Sequence, residues 1–153
     1  MAGSMIETRA QVVQSASAVT KSTGGTLTVG PFSRDTIIVR YGAVVTTDFD
    51  TDGATITLDA SGDYEQEFDL PKDAEAGMSF AKYAVANPDA DGFEPIYRGF
   101  KSDPAPGQLR LKAGETVTIT GQIPTGGGSG AYYLFAEVIQ LPLQVGAFYE
   151  TGA

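Results

Sequence analysis

The chain has 153 residues, a net charge of −9 at pH 7, and no His, Cys or Trp. The missing imidazole and thiol groups exclude histidine- and cysteine-based catalysis, thiolate metal sites and disulfides. The acidity and the lack of any apolar run near the roughly 18 residues of a spanning helix predict neither nucleic-acid binding nor a membrane protein. This length is typical of one domain, so we expect a single domain over residues 1–153.

Short β-branched segments joined by glycine turns begin near the N-terminus. The strand patterns cover residues 12–20, 25–29 and 35–45. In the third segment Ile37, Val39 and Tyr41 alternate with Thr36, Ile38 and Arg40, which predicts that the two sets lie on opposite faces of a strand. Residues 1–10 precede this pattern and are interpreted as an N-terminal arm.

Acidic residues are concentrated between residues 48 and 75, a segment with ten Asp or Glu residues and a single lysine. Four of them alternate with Tyr, Gln, Phe and Leu along one predicted strand: Asp63, Glu65, Glu67 and Asp69. A period of two places all four on one side of a strand. Such a row suits an edge strand, or a face that meets a basic partner, better than a pair of glycosidase carboxylates.

The second half of the chain continues the strand pattern. Leu109 and Leu111 alternate with Arg110 and Lys112, and a glycine turn then leads to residues 116–120, which predicts a hairpin. Residues 131–139 are almost continuously apolar, as in a central strand or a strand whose second face meets another subunit. Eight to ten such strands and no helical pattern predict an all-β, antiparallel sandwich resembling a jelly roll.

A loop rich in aspartate suggests a metal site. Asp48, Asp50 and Asp52 alternate ahead of Gly53, as at the start of a calcium loop. The residue in the closing position is Asp59 rather than a bidentate Glu, so a hairpin turn is the favoured interpretation, with calcium as the alternative. A weaker copy contains Asn87, Asp89 and Asp91.

The C-terminal arm, residues 140–153, is unusually apolar for a chain end. It carries Leu141, Leu143, Val145, Phe148 and Tyr149. Apolar side chains of this number favour docking, either in the chain's own core or on a neighbouring subunit.

The chain resembles the cement or decoration proteins of tailed-bacteriophage capsids in its overall character. The resemblance rests on an acidic, cysteine-free all-β chain of this length, with an apolar end and strand segments such as DTIIVRYGAVV, DYEQEFDLP and AYYLFAEVIQ. It implies a sandwich that forms dimers or trimers and clamps major capsid subunits on a virion without chemistry or a cofactor. The alternative is an extracellular calcium- or glycan-binding module.

Overall fold

The structure is a computed structural model that describes residues 10–50, 52–60, 65–85, 107–122 and 128–142. Its regular elements are ten antiparallel strands. They are β1 (Gln11–Gln14), β2 (Val19–Thr20), β3 (Gly25–Val29), β4 (Thr36–Thr47), β5 (Ala54–Asp59), β6 (Glu65–Leu70), β7 (Ser79–Tyr83), β8 (Leu109–Leu111), β9 (Val117–Gln122) and β10 (Ala131–Gln140). None of the described segments is a helix long and apolar enough to cross a membrane.

The strands form two sheets that pack as a β-sandwich, which confirms the predicted fold class. One sheet has the order β1-β10-β4-β7, with β2 beside β10 and β8 beside β4. The other sheet has the order β3-β9-β5-β6. Among the described strands, the chain stays in one sheet from β1 to β2, from β5 to β6 and from β7 to β8, and it changes sheet between all other successive strands. These strand orders match the connectivity of a jelly roll, in which two Greek keys wrap around one core.

The core lies between the sheets and is built by alternate residues of each strand. In β10, Tyr132, Leu134, Ala136 and Val138 are fully buried, as the period of two requires. The facing sheet contributes buried aliphatic side chains from β3, β5 and β9: Leu27, Val29, Ile56, Leu58, Val117 and Ile119. The apolar run at residues 131–139 is therefore a central strand, as predicted.

Each edge of the larger sheet is formed by two short strands that lie end to end. β1 and β2 both pair with β10, and Ser15 lies between them, with its amide and hydroxyl bonded to the backbone of Leu134. β7 and β8 likewise pair end to end with β4. The single strand predicted over residues 12–20 is therefore two strands along one edge.

The predicted alternation in β4 is wrong beyond Ile38. Ile38 and Tyr41 are both fully buried, although the period of two placed them on opposite faces. The register against β10 shifts between Ile38 and Arg40, so Val39 is an extra residue in a β-bulge. A bulge reverses the faces of all later residues.

The predicted hairpin of residues 109–120 is also wrong. β8 pairs with β4 in the six-stranded sheet, whereas β9 pairs with β3 and β5 in the other. The turn at Gly114 therefore carries the chain from one sheet to the other. Both hairpins and sheet crossings use Gly turns between alternating strands, so the local sequence does not distinguish them.

Candidate interaction surfaces

The acidic row lies on an edge strand of the four-stranded sheet. Glu65, Glu67 and Asp69 are exposed along β6, while Gln66 and Leu70 are buried and Phe68 is half-buried. Among the described strands, β6 pairs with β5 alone and ends the four-stranded sheet. The structure therefore agrees with the predicted alternation over these residues, and Asp63 lies outside the described residues.

The carboxylates of this acidic edge have no cationic partner among the described residues. The Asp69 carboxylate accepts a hydrogen bond of 2.7 Å from the Thr55 hydroxyl. Lys82 reaches β6, but its ammonium group donates to the Glu67 backbone carbonyl at 2.8 Å rather than to a carboxylate. Within the part of the chain that the structure describes, this edge is therefore a row of exposed carboxylates without an ion-pair partner.

The inner side of β6 is tied to the other sheet by a buried amide. The Gln66 side chain donates to the Tyr83 carbonyl at 2.8 Å and accepts from the Val85 amide at 3.2 Å. The Gln66 carbonyl accepts a hydrogen bond from the buried Tyr41 hydroxyl. Because these contacts hold β6 against the six-stranded sheet, the acidic edge is presented by a fixed strand.

The aspartates of the predicted calcium loop bind protein groups at the end of the sandwich where several strand connections meet. The Asp48 carboxylate accepts from the Ala76 amide at 2.7 Å. The Asp50 carboxylate accepts from the Ser129 amide at 2.8 Å and pairs with the ammonium group of Lys21 at 3.3 Å. Asp52 contributes its backbone carbonyl, which lies 2.6 Å from the same ammonium group.

Lys21 is the cation at the centre of these connections. Its side chain is 0% exposed, and its ammonium group lies 5.0 Å from the centroid of the Phe49 ring. A buried ammonium is stable only with close partners, and here they are Asp50, the Asp52 carbonyl and the aromatic face. Sequence reasoning missed this residue because an isolated lysine near a turn gives no local signal of burial.

The pKa of Asp50 reflects this environment. Desolvation alone would raise the pKa, but the hydrogen bonds from Ser129 and the charge of Lys21 outweigh it and lower the pKa to about 2. Among the described residues, no group of three or more acidic side chains is placed to hold a metal ion. Calcium binding at Asp48, Asp50 and Asp52 stays a prediction, and Asn87, Asp89 and Asp91 lie outside the described residues.

The C-terminal arm is described only at its start. The Leu141 amide donates to the Asp35 carbonyl at 2.8 Å, and Leu141 is half-buried. The other four apolar residues of the predicted arm, Leu143, Val145, Phe148 and Tyr149, lie outside the described residues. Their docking remains a prediction.

The outward face of the six-stranded sheet is more apolar than the sequence analysis anticipated. We call this set the outer face: Val12, Ile37, Val44, Tyr83, Tyr133, Phe135 and Ile139. Val12 is 64% exposed, Tyr83 39% and Val44 38%, and the others are partly exposed. The apolar run of β10 pointed to a second apolar face, but the neighbours in β1, β4 and β7 depend on strand order.

Comparisons with known proteins do not assign the chain to a family. No family model and no curated protein matches the chain. A solved structure described as "Bacillus endospore appendages form a novel family of disulfide-linked pili" is similar, with 14% identity and a TM-score of 0.36. The match covers 88% of this chain and 92% of that one, and it supports no functional conclusion.

Proposed function

We propose that this chain is a non-enzymatic structural protein that oligomerises and binds the surface of a larger protein assembly. We further propose that this assembly is a bacteriophage capsid, on which the chain acts as a cement or decoration protein. The observation that carries the proposal is the acidic edge of β6. There the carboxylates of Glu65, Glu67 and Asp69 are exposed, and none of them forms an ion pair with another described residue.

The acidic edge suits a basic partner surface for a physical reason. Exposed carboxylates at a sheet edge repel a second copy of the same edge and disfavour stray strand pairing. The same charges attract a surface rich in Lys and Arg, which steers encounter and fixes orientation. Because Gln66 anchors the strand from inside, the three charges keep a fixed spacing of about 7 Å from one to the next.

The experiment is a binding assay on particles of the bacteriophage whose capsid the chain is proposed to decorate. The particles are stripped of their surface proteins and mixed with the purified full chain, and the bound fraction is measured by co-sedimentation. We expect saturable binding by the wild-type chain. The double substitution Glu65→Gln and Glu67→Gln should weaken this binding about tenfold, because two of the charges facing the basic surface are lost.

The matched control removes the same charge elsewhere. Asp73 and Glu75 are exposed in the connection between β6 and β7, so Asp73→Asn with Glu75→Gln changes the net charge equally. This control should bind like the wild-type chain. Equal weakening by both double variants would show that only total charge matters, and a wild-type chain that never sediments with the particles would refute the proposed function.

A further inference from the structure

The outer face of the six-stranded sheet combines apolar side chains with balanced charge. Its aromatic and aliphatic residues form neighbouring pairs across strands, with Tyr133 beside Val44 and Ile139 beside Ile37. Val44 and Val12 are among the most exposed large apolar side chains of the described residues. Exposed apolar side chains that neighbour one another, rather than standing singly, are typical of an interaction site.

The charges on this face cancel in pairs. Arg40 and Glu137 are partners across β4 and β10, and the Arg40 guanidinium donates to the Glu137 carboxylate. Arg110, beside Ile37, pairs with Asp35 at 2.9 Å. The face therefore carries no net charge from these residues, although the whole chain carries −9.

The balance of positive and negative charge on the outer face favours a second copy of this chain as the partner that binds there. Two copies that met through the acidic edge would place like charges together, which is unfavourable. The outer face instead presents a positive and a negative group side by side within an apolar surround. A twofold axis that lies in the interface and passes between Arg40 and Glu137 places each of them opposite the other residue of the second copy, so the face can complement itself in a twofold interface.

We infer that the outer face docks against the same face of a second copy of this chain. The inference rests on the proposed function, because it assigns the surface through which that structural protein oligomerises. The acidic edge belongs to the other sheet, so it is not part of this contact. The pair then presents two separate acidic edges to a larger surface.

The first experiment measures native mass by light scattering across a dilution series. We expect the wild-type chain to have twice the chain mass, or an even multiple of it, at high concentration. Val44→Glu places a charge on the apolar face and should give monomers at every concentration. Thr26 is exposed on the other sheet, so Thr26→Glu is the matched control and should keep the wild-type mass.

Circular dichroism shows whether each variant retains its strands. A folded Val44→Glu variant that keeps the wild-type mass would overturn the inference, and so would a wild-type chain that is monomeric throughout. Neither result alters the co-sedimentation test of the proposed function, which reports on the acidic edge. Loss of particle binding by the Glu65 and Glu67 variant with unchanged mass would, in turn, leave the pairing of copies intact.

A second experiment exploits the charge pair. Arg40→Glu and Glu137→Arg should each weaken the pairing of copies about tenfold or more, because each places like charges across the twofold axis. The double variant restores complementarity and should recover most of the native mass. Failure of the double variant to recover, in a folded protein, would contradict the twofold arrangement.

A third variant tests the chain's own C-terminal arm as the alternative occupant. A chain ending at Pro142 lacks the four apolar residues of the arm beyond Leu141. We expect this shortened chain to keep the wild-type mass, because the face and not the arm makes the contact. A folded shortened chain that is monomeric would assign the contact to the arm and overturn the inference.

Discussion

Two buried tyrosines differ in how their hydroxyl groups are bonded. The Tyr41 hydroxyl donates to the Gln66 carbonyl at 3.1 Å. The Tyr132 hydroxyl is buried without a hydrogen-bond partner among the described residues and lies in the space left by Gly121, where a Cβ atom would overlap it. A buried hydroxyl without a partner costs free energy, whereas a bonded one contributes to stability.

Replacing each tyrosine with phenylalanine should therefore have different effects. Tyr41→Phe should lower the free energy of unfolding by about 1 kcal/mol because a hydrogen bond is lost. Tyr132→Phe should leave it unchanged or raise it. Urea unfolding at neutral pH measures both, and a Tyr132→Phe variant less stable than Tyr41→Phe would show that the Tyr132 hydroxyl has a favourable role.

The same tyrosine gives an alkaline test. Burial raises the pKa of Tyr132 to about 12, from the ordinary 10.0. The unfolded chain loses this proton first, so stability is fully present below pH 10 and falls as the pH rises through 12. Tyr132→Phe should remove that fall, and identical alkaline unfolding curves for the two chains would contradict it.

The ion pair between the buried Lys21 and the exposed Asp50 gives a prediction at acid pH. The pKa of Asp50 is lowered to about 2 from 3.8, so its ionised form stabilises the folded chain above pH 3.8. This contribution is lost as the pH falls through 2. Asp50→Asn should therefore lower stability at pH 7, and its difference from the wild-type chain should shrink as the pH approaches 2.

Lys21→Met provides the companion variant, because methionine fills similar space without an ammonium group. It should lower stability and raise the pH at which Asp50 protonates, since the favourable charge is gone. Urea unfolding between pH 7 and pH 2 measures both variants. A stability difference for Asp50→Asn that is as large at pH 2 as at pH 7 would contradict the assignment.

At the scale of the elements, much of the strand pattern could be predicted from the sequence. β-Branched composition located β3, the period of two located β6, and the apolar run located β10 closely, because each of these strands buries one face along its length. The alternation also placed Glu65, Glu67 and Asp69 on one exposed side. These features are local, so neighbouring residues suffice to specify them.

Features that depend on distant strands could not be predicted in the same way. The bulge at Val39 is defined by its register against β10, almost 100 residues later. The burial of Lys21 depends on Asp50 and Ser129, which approach it only when three connections meet at one end. The outer face likewise needed the strand order before its residues could be placed together.

Val85 and Gln108, on either side of segment 86–106, are paired, which gives a prediction about the removal of that segment. Val85 forms a β-bridge with Gln108, and Ala84 donates to the Val39 carbonyl. Replacing residues 86–106 with a two-residue Asn-Gly turn should preserve the fold. Shorter loop closure should change the free energy of unfolding by no more than about 2 kcal/mol in the stabilising direction.

The control for this deletion is a similar shortening of the connection between β4 and β5. Residues 49–52 include Phe49 and Asp50, which contact Lys21, so replacing them with Asn-Gly should unfold or strongly destabilise the chain. Circular dichroism and thermal unfolding compare the two variants. A chain without residues 86–106 that fails to fold would show that the sandwich needs this segment.

At the scale of the whole molecule, charge and apolar surface are separated. The acidic edge belongs to the four-stranded sheet, whereas the outer face belongs to the six-stranded sheet and carries paired charges. The two surfaces therefore respond to different forces. Binding through the acidic edge relies on attraction between opposite charges. Pairing through the outer face relies on apolar contact, which must overcome the electrostatic repulsion between two acidic chains.

Ionic strength should separate the two surfaces. Salt shortens the range of charge interactions to about 10 Å at 0.1 M, so raising it from about 0.05 M to about 0.5 M should weaken binding to a basic surface. The same change should strengthen the pairing of copies, because it screens repulsion between two chains of net charge −9. Light scattering and co-sedimentation measure the two effects on one preparation. If both associations weaken with salt, charge rather than apolar contact joins the copies, and the outer face is not the surface that pairs them.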